Sequence, residues 1–264
     1  MKKVAILLLA ILTFSCSDDD EKGTEENKGQ WAMIFNETVK SDSNPVDRTE
    51  KFMFNGERLI QHIIKQRYFE EEISNEVNLS YSDNQVTVTT DYLTLVYTLN
   101  SEGYASQCVY SLSSQNRIYQ FSYSAEGYLT GIVENIDNRE YSSTSLTYEN
   151  GDITSISSKM NGLENKFIYE PGEESSTYHL PCLGLLEIHP LTFHIEALYA
   201  GLLGKDPRHF TIRSCPAGSN DEKTVYSYGF DKKGNPSRMI CQTTYAGGQA
   251  SYYPYTRNIS VSFE

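Results

Sequence analysis

Phe121-Ser-Tyr-Ser-Ala-Glu-Gly-Tyr-Leu-Thr-Gly-Ile-Val-Glu-Asn135 reads as a strand, a turn and a second strand. Aromatic and β-favouring residues lead into a polar turn closed by Gly127, and Leu129, Ile132 and Val133 then resume a strand-like pattern. Weaker copies recur from about residue 52 to residue 239: Leu95-Val-Tyr97 before Gly103, Leu146-Thr-Tyr148 before Gly151, Phe167-Ile-Tyr169 before Gly172, and Tyr228-Gly-Phe230 before Gly234. Successive tyrosines stand about 21 to 26 residues apart, enough for two strands and two turns per unit. Strands joined by tight turns pair antiparallel, so the units form a meander.

The flanking chain agrees. Residues 31–35 form a first apolar block, and Asn55-Gly56 suits a tight hairpin because both residues tolerate positive φ. Residues 58–73 have helix-like spacing, but β-type neighbours on both sides favour strands. Residues 85–90 and 92–97 alternate apolar side chains with Thr, the pattern of strands with one buried face. Asn258-Ile-Ser-Val-Ser-Phe263 is a terminal strand that needs a neighbour.

One segment interrupts the pattern. Leu191, Ile195, Leu198 and Leu202 fall on a helical stripe, with Pro190 at its start, Gly204 at its end and Pro207 beyond. The expected fold is therefore all-β and mainly antiparallel: a long meander of tandem hairpins forming a curled open sheet or partial barrel. A helix over about residues 190–203 packs on it.

At the N-terminus, Lys2 and Lys3 precede an apolar run over residues 4–12, too short to span a bilayer. The junction Thr13-Phe14-Ser15-Cys16 resembles a bacterial lipoprotein signal, which implies cleavage after residue 15 and lipidation of Cys16. Residues 16–30, rich in Asp and Glu, make an acidic tether, and residues 31–264 one β-repeat domain. The acidic run after the cysteine resembles the surface-export signal of Bacteroidetes lipoproteins. It implies a lipid-anchored outer-membrane protein facing the cell surface. The membrane is then a partner through the anchor alone.

Composition limits function. With 35 acidic against 22 basic residues and a net charge of −13, the chain repels phosphate backbones, which excludes nucleic acid as a partner. Cys108, Cys182, Cys215 and Cys241 lack a CxxC spacing. They are either one or two disulfides or buried thiols, and a domain of this size does not require staples. No HExxH, GxSxG or phosphate-binding glycine loop is present, and no cofactor or metal is expected. His189 and His194 stand five apart across Pro190, a poor spacing for metal ligands on one helical face. Residues 70–72 are three glutamates whose side chains alternate between faces of a strand, which disfavours an acid/base pair.

Two features point to binding. Lys205, Arg208, His209 and Arg213 gather positive charge in an acidic chain, read either as an anion subsite at Lys205, Arg208 and Arg213 or as cations near a helix C-terminus. The 20 tyrosines either line a ligand groove or serve as half-buried packing residues.

The unit aromatic-x-Tyr, polar turn with Gly, then Leu or Ile resembles the repeats of the DUF4595 family, Bacteroidetes lipoproteins of uncharacterised function with a porin-like β fold. The likeness covers about residues 52–264 and includes Ala200-Gly-Leu-Leu-Gly-Lys205. It implies a fold and an address but no activity. A looser likeness, carried by Phe230-Asp-Lys-Lys-Gly-Asn235, is to YD repeats, although most units lack the Asp and the chain is short for a closed shell. The resulting expectation is a non-enzymatic surface lipoprotein binding a glycan, lipid or peptide in a tyrosine-rich groove. The alternative is a structural or accessory interaction module of an outer-membrane complex.

Overall fold

The computed structural model describes residues 29–39, 46–68, 71–112, 115–180, 185–219, 221–244 and 255–264. The expected signal over residues 1–15, the lipidation site Cys16, nearly all of the tether, Cys182 and Glu70 lie outside the described residues.

Sixteen strands follow one another: β1 (Gln30–Val39), β2 (Val46–Asn55), β3 (Arg58–Tyr68), β4 (Glu71–Ser82), β5 (Gln85–Thr89), β6 (Thr94–Leu99), β7 (Ala105–Leu112) and β8 (Gln115–Tyr123). Then come β9 (Leu129–Ile136), β10 (Arg139–Glu149), β11 (Asp152–Met160), β12 (Leu163–Ser175), β13 (His209–Pro216), β14 (Lys223–Phe230), β15 (Pro236–Thr244) and β16 (Tyr255–Phe263). Each pairs antiparallel with the next, and β16 pairs back onto β1, so the sheet is a closed barrel. This corrects the expectation of an open or partial sheet. Ala32 and Glu264 exchange two backbone hydrogen bonds of 2.9 Å across the closing seam. Residues 58–68 and 71–73 are strand, as their β neighbours required.

Alternation sets which side chains enter the bore. Tyr97, Cys108, Tyr119 and Glu134 are cross-strand partners from β6 to β9, and all are buried. Met33, Phe52, His62 and Val77 form the equivalent row from β1 to β4. The residues between them face outward, where Ser80 pairs with Thr87, Gln107 with Gln120 and Ser145 with Ser157. Polar bonds cross the outer wall: Gln61 to Asn78, Lys51 to Glu264, Arg213 to Glu170 and Ser157 to Glu164. Among the described residues no helix is long and apolar enough to cross a membrane.

An insert between β12 and β13 fills the bore. Leu180, Leu185, Ile188, Leu191, Ala197, Tyr199, Leu202 and Leu203 are its buried residues, and they supply the surface against which the inner wall packs. The expected helix over 190–203 is much shorter. A 3-10 turn (Leu191–Phe193) is followed by α1 (Ile195–Tyr199), with His194 between them at φ −121°, ψ 28°. Gly201 at φ 69° ends α1 in a Schellman motif, where Leu202 N–H donates to the Ala197 carbonyl and Gly201 N–H to that of Leu198. A helix this short has no stability of its own, so burial against the wall maintains it.

Cys108 and Cys215 are thiols, and Cys108 and Cys241 are buried, which fits the small-hydrophobe reading at Cys108. Burial pushes the Cys108 thiol up to about 12.

Candidate functional site at the barrel mouth

The repeat is a device for building one rim. Asn100, Ser124 and Asp231 each open a five-residue turn in which the first residue's backbone N–H donates to the fifth residue's carbonyl at 2.7–2.8 Å. The glycine at the fourth position, Gly103, Gly127 or Gly234, adopts φ of 84°, 91° or 83° and donates back to the first residue's carbonyl. The first side chain accepts the fifth residue's N–H, at 2.9 Å in the Asn100 and Asp231 turns and 3.3 Å in the Ser124 turn. Asn, Ser and Asp are interchangeable there because each offers an acceptor oxygen, which is why the Asp of the YD pattern is absent from most units. Gly172 departs from the pattern: it lies inside β12, where the strand runs on toward the insert.

Because neighbouring strands are antiparallel, these turns, the Asn55-Gly56 and Asn150-Gly151 hairpins and both ends of the insert share one mouth. The insert leaves the barrel along that rim. Ala105 N–H donates to the Leu202 carbonyl at 2.8 Å, Lys205 N–H to the Gly127 carbonyl at 2.9 Å, and Arg208 N–H to the Gly151 carbonyl at 3.0 Å. Three successive units thus hold residues 202–208.

A cavity of about 680 Å³ opens where this segment crosses β8–β11. Lys205 and Arg208 line it together with Tyr128 and Tyr148, whose rings stack at 4.9 Å. Ser124, Thr130, Thr147 and Asn150 contribute hydroxyl and amide groups. Glu126 stands at the same rim, its carboxyl held below the usual range chiefly by a hydrogen bond from Ser124, with a smaller contribution from the Lys205 charge.

Two of the three expected subsite residues therefore meet. Arg213 does not join them: it faces out from β13 and pairs with Glu170 at 2.6 Å. His209 is held by Asp152, which takes its backbone N–H at 2.8 Å and contacts its ring Nδ1 at 2.9 Å. The rival reading, cations at a helix C-terminus, fails because α1 ends at Tyr199 with no basic residue in its last turn. Tyr128 and Tyr148 were not assigned to a site from the sequence, although Tyr128 closes the Ser124 turn and Tyr148 ends the Leu146-Thr-Tyr148 unit. Other tyrosines are packing residues: Tyr97, Tyr119, Tyr169, Tyr199 and Tyr226 are buried, and Tyr81, Tyr123 and Tyr228 donate their hydroxyls to backbone carbonyls. The groove expected on the sheet beneath the helix is occupied by the insert.

Deeper in the bore lie polar contacts between insert and wall. Glu134 contacts Ser142 at 2.6 Å, Arg117 at 3.3 Å and His189 at 2.5 Å. Burial pushes its carboxyl up, but bonds from His189 and Ser142 and nearby positive charge outweigh this, and the net shift is downward. His62 of β3 sits between Glu50 of β2 at 3.1 Å and Glu196 of α1 at 2.8 Å. His194 is enclosed by Tyr97, Tyr119 and Phe121, and burial lowers its pKa to about 3, so it is neutral. His189 and His194 face different partners, and among the described residues no group of three His, Cys, Asp or Glu could hold a metal ion.

The family described as "Domain of unknown function (DUF4595) with porin-like fold" matches residues 49–238. The chain is similar to a porin-like protein from Bacteroides uniformis ATCC 8492, with a TM-score of 0.80 and 27% identity over 88% of this chain and 96% of that one. It shares its fold with a porin-like protein from Bacteroides vulgatus ATCC 8482, with a TM-score of 0.53 and 12% identity over 86% of this chain and 96% of that one. No curated protein matches the chain.

Proposed function

Since the chain belongs to the DUF4595 family of porin-like fold, we propose that it is a non-enzymatic, lipid-anchored protein of the outer membrane that faces the cell surface and holds a glycan at the barrel mouth. The observation that carries this reading is the cavity of about 680 Å³ that joins Tyr128 and Tyr148 to Lys205 and Arg208 beside a bore filled by the protein's own insert. A tyrosine offers an apolar ring to one face of a sugar and a polar tip to its hydroxyls, and cavities of this size suit small ligands.

Several features support the address. A membrane-spanning barrel turns an apolar band toward lipid, and unpaired polar groups in hydrocarbon are costly. Here the outward positions mix Ser, Thr, Gln and cross-strand ion pairs with apolar residues such as Val96, Val109 and Ile118, so the outer wall is interrupted by polar groups. Attachment accordingly falls to Cys16 behind its apolar leader. The non-enzymatic reading is supported by the buried placement of Glu134, His62 and His194, which bind insert to wall away from the cavity. An interaction module finds less support: Met160 and Leu163 form one exposed apolar pair at the β11–β12 turn, while Ile73, Tyr92 and Ile212 lie on other elements.

Native mass spectrometry of protein purified from its own membrane tests the proposal. We expect a diacylglycerol-type mass increment that disappears in Cys16→Ala, and a co-purifying saccharide that disappears in Tyr128→Ala. A bare, unlipidated chain would overturn both halves.

A further inference from the structure

We infer that the saccharide held at the mouth is acidic, with its negative charge between Lys205 and Arg208 and a sugar ring against the Tyr128–Tyr148 pair. This rests on the glycan reading above and narrows it to a ligand class.

Charge pairing provides the first argument. Arg48, Lys51, Arg117, Arg213 and Arg257 each have a carboxylate partner, at Glu50, Glu264, Glu134, Glu170 and Glu37. Lys205 and Arg208, like Arg58, Lys65 and Arg238, make no ion pair with a carboxylate among the described residues, but these two are brought to the lining of one cavity. Two cations at one cavity form a local field suited to an anion.

Their placement is also fixed. Both backbones are bound to turn carbonyls, at Gly127 and Gly151, and the Arg208 guanidinium reaches the Asn150 carbonyl at 3.3 Å. Gly204, just before Lys205, has φ 90°, and a Cβ there would stand 2.6 Å from the Gly127 oxygen. The rim therefore holds the two backbones and, through the Asn150 carbonyl, the Arg208 head in place before any ligand arrives, which lowers the cost of binding.

Finally, the lining distinguishes anions. Ser124, Thr130, Thr147 and Asn150 match a hydroxyl-rich ring, and the Tyr pair matches its apolar face. Glu126 on the same rim, and Asp206, whose charge reaches Tyr148 while it pairs with His179 at 3.0 Å, offset part of the charge of the two cations. So weakly positive a site suits a singly charged sugar acid better than a polyphosphate.

The test is calorimetric titration of the full mature chain with a panel of oligosaccharides bearing uronate, sialate or sulfate. Each is paired with its methyl-esterified or desulfated counterpart. At least one acid should bind about ten- to a hundredfold more tightly than its neutral partner. Arg208→Gln and Lys205→Gln should each erase that difference between acid and neutral partner. Arg213→Gln, on the outer wall, should leave both unchanged. Neutral members binding as tightly as acids, or a preference that survives both charge variants, would overturn the acidic class while the glycan reading stands. No binding by any member overturns the glycan reading as well. Circular dichroism of each variant confirms that exposed-residue changes have left the barrel folded.

Discussion

Gly151 and Gly204 decide whether residues 204–208 can lie on the rim. Gly151 has φ 88°, and a Cβ there would meet the Arg208 stem at 2.6–2.8 Å and the Tyr128 hydroxyl at 2.6 Å. At Gly204 the obstacle is a backbone oxygen, which cannot swing aside. Gly204→Ala should therefore cost about 2–3 kcal/mol, and Gly151→Ala roughly 1–2 kcal/mol, read as a lower urea midpoint at unchanged slope. Glu134 shows no exposed surface and makes four polar contacts, so Glu134→Ala should cost about 3–5 kcal/mol by stranding Arg117 and His189. His62 gives a pH dependence. Burial pushes its imidazole down, but bonds to Glu196 and Glu50 outweigh burial and raise its pKa above 6.5. Its stabilisation is fully present below pH 6.5 and is lost as pH rises through the folded value. Glu50, lowered from 4.5 despite burial by its bond to His62 and by neighbouring cations, contributes above pH 4.5 and is lost as pH falls through its folded value. Thermal midpoints should thus decline as pH rises from 6.5 through the folded value of His62, and His62→Gln should flatten most of that decline.

The insert shows which elements were legible in the chain. The strands were, because a period of two and turn pairs such as Asn150-Gly151 are local features, although at Asn55-Gly56 the strand runs through Asn55 and the turn falls one residue later. The helix was overextended for an equally local reason. Leu191 and Leu202 are indeed buried, but a 3-10 turn, α1 and a Schellman end bring them to the wall as well as one continuous helix would. Hydrophobic spacing does not distinguish these routes, and Gly201 was the overlooked stop signal. Arg213 misled similarly: its neighbours in sequence are near the rim, but strand alternation turns it outward toward Glu170. Leu191 is 1% exposed at the insert's core, so Leu191→Ala should cost about 2–5 kcal/mol. Because wall and insert share one core, the variant should still unfold in a single transition by fluorescence and circular dichroism.

At the scale of the molecule, closure depends on β16, which makes the last seam with β1 and also pairs with β15. No local pattern in the sequence announced closure, since it depends on sixteen twists and registers summing to a full turn. Deleting residues 255–264 would leave β1 and β15 as open edges, and the truncated protein should aggregate more than the full barrel under the same conditions. Light scattering distinguishes the two outcomes. Under the lipid-anchored reading proposed above, the closing seam also sets which end of the barrel lies nearest the anchor. Gln30 opens β1 at the same rim that holds Lys205 and Arg208. With a lipid at Cys16, residues 17–29 reach roughly 45 Å when fully extended. The cavity then hangs on the bilayer-proximal side, with the length and self-repulsion of the acidic tether setting the clearance through which a ligand must pass. Shortening that spacer should slow ligand capture on cells while leaving the affinity of the detached barrel untouched.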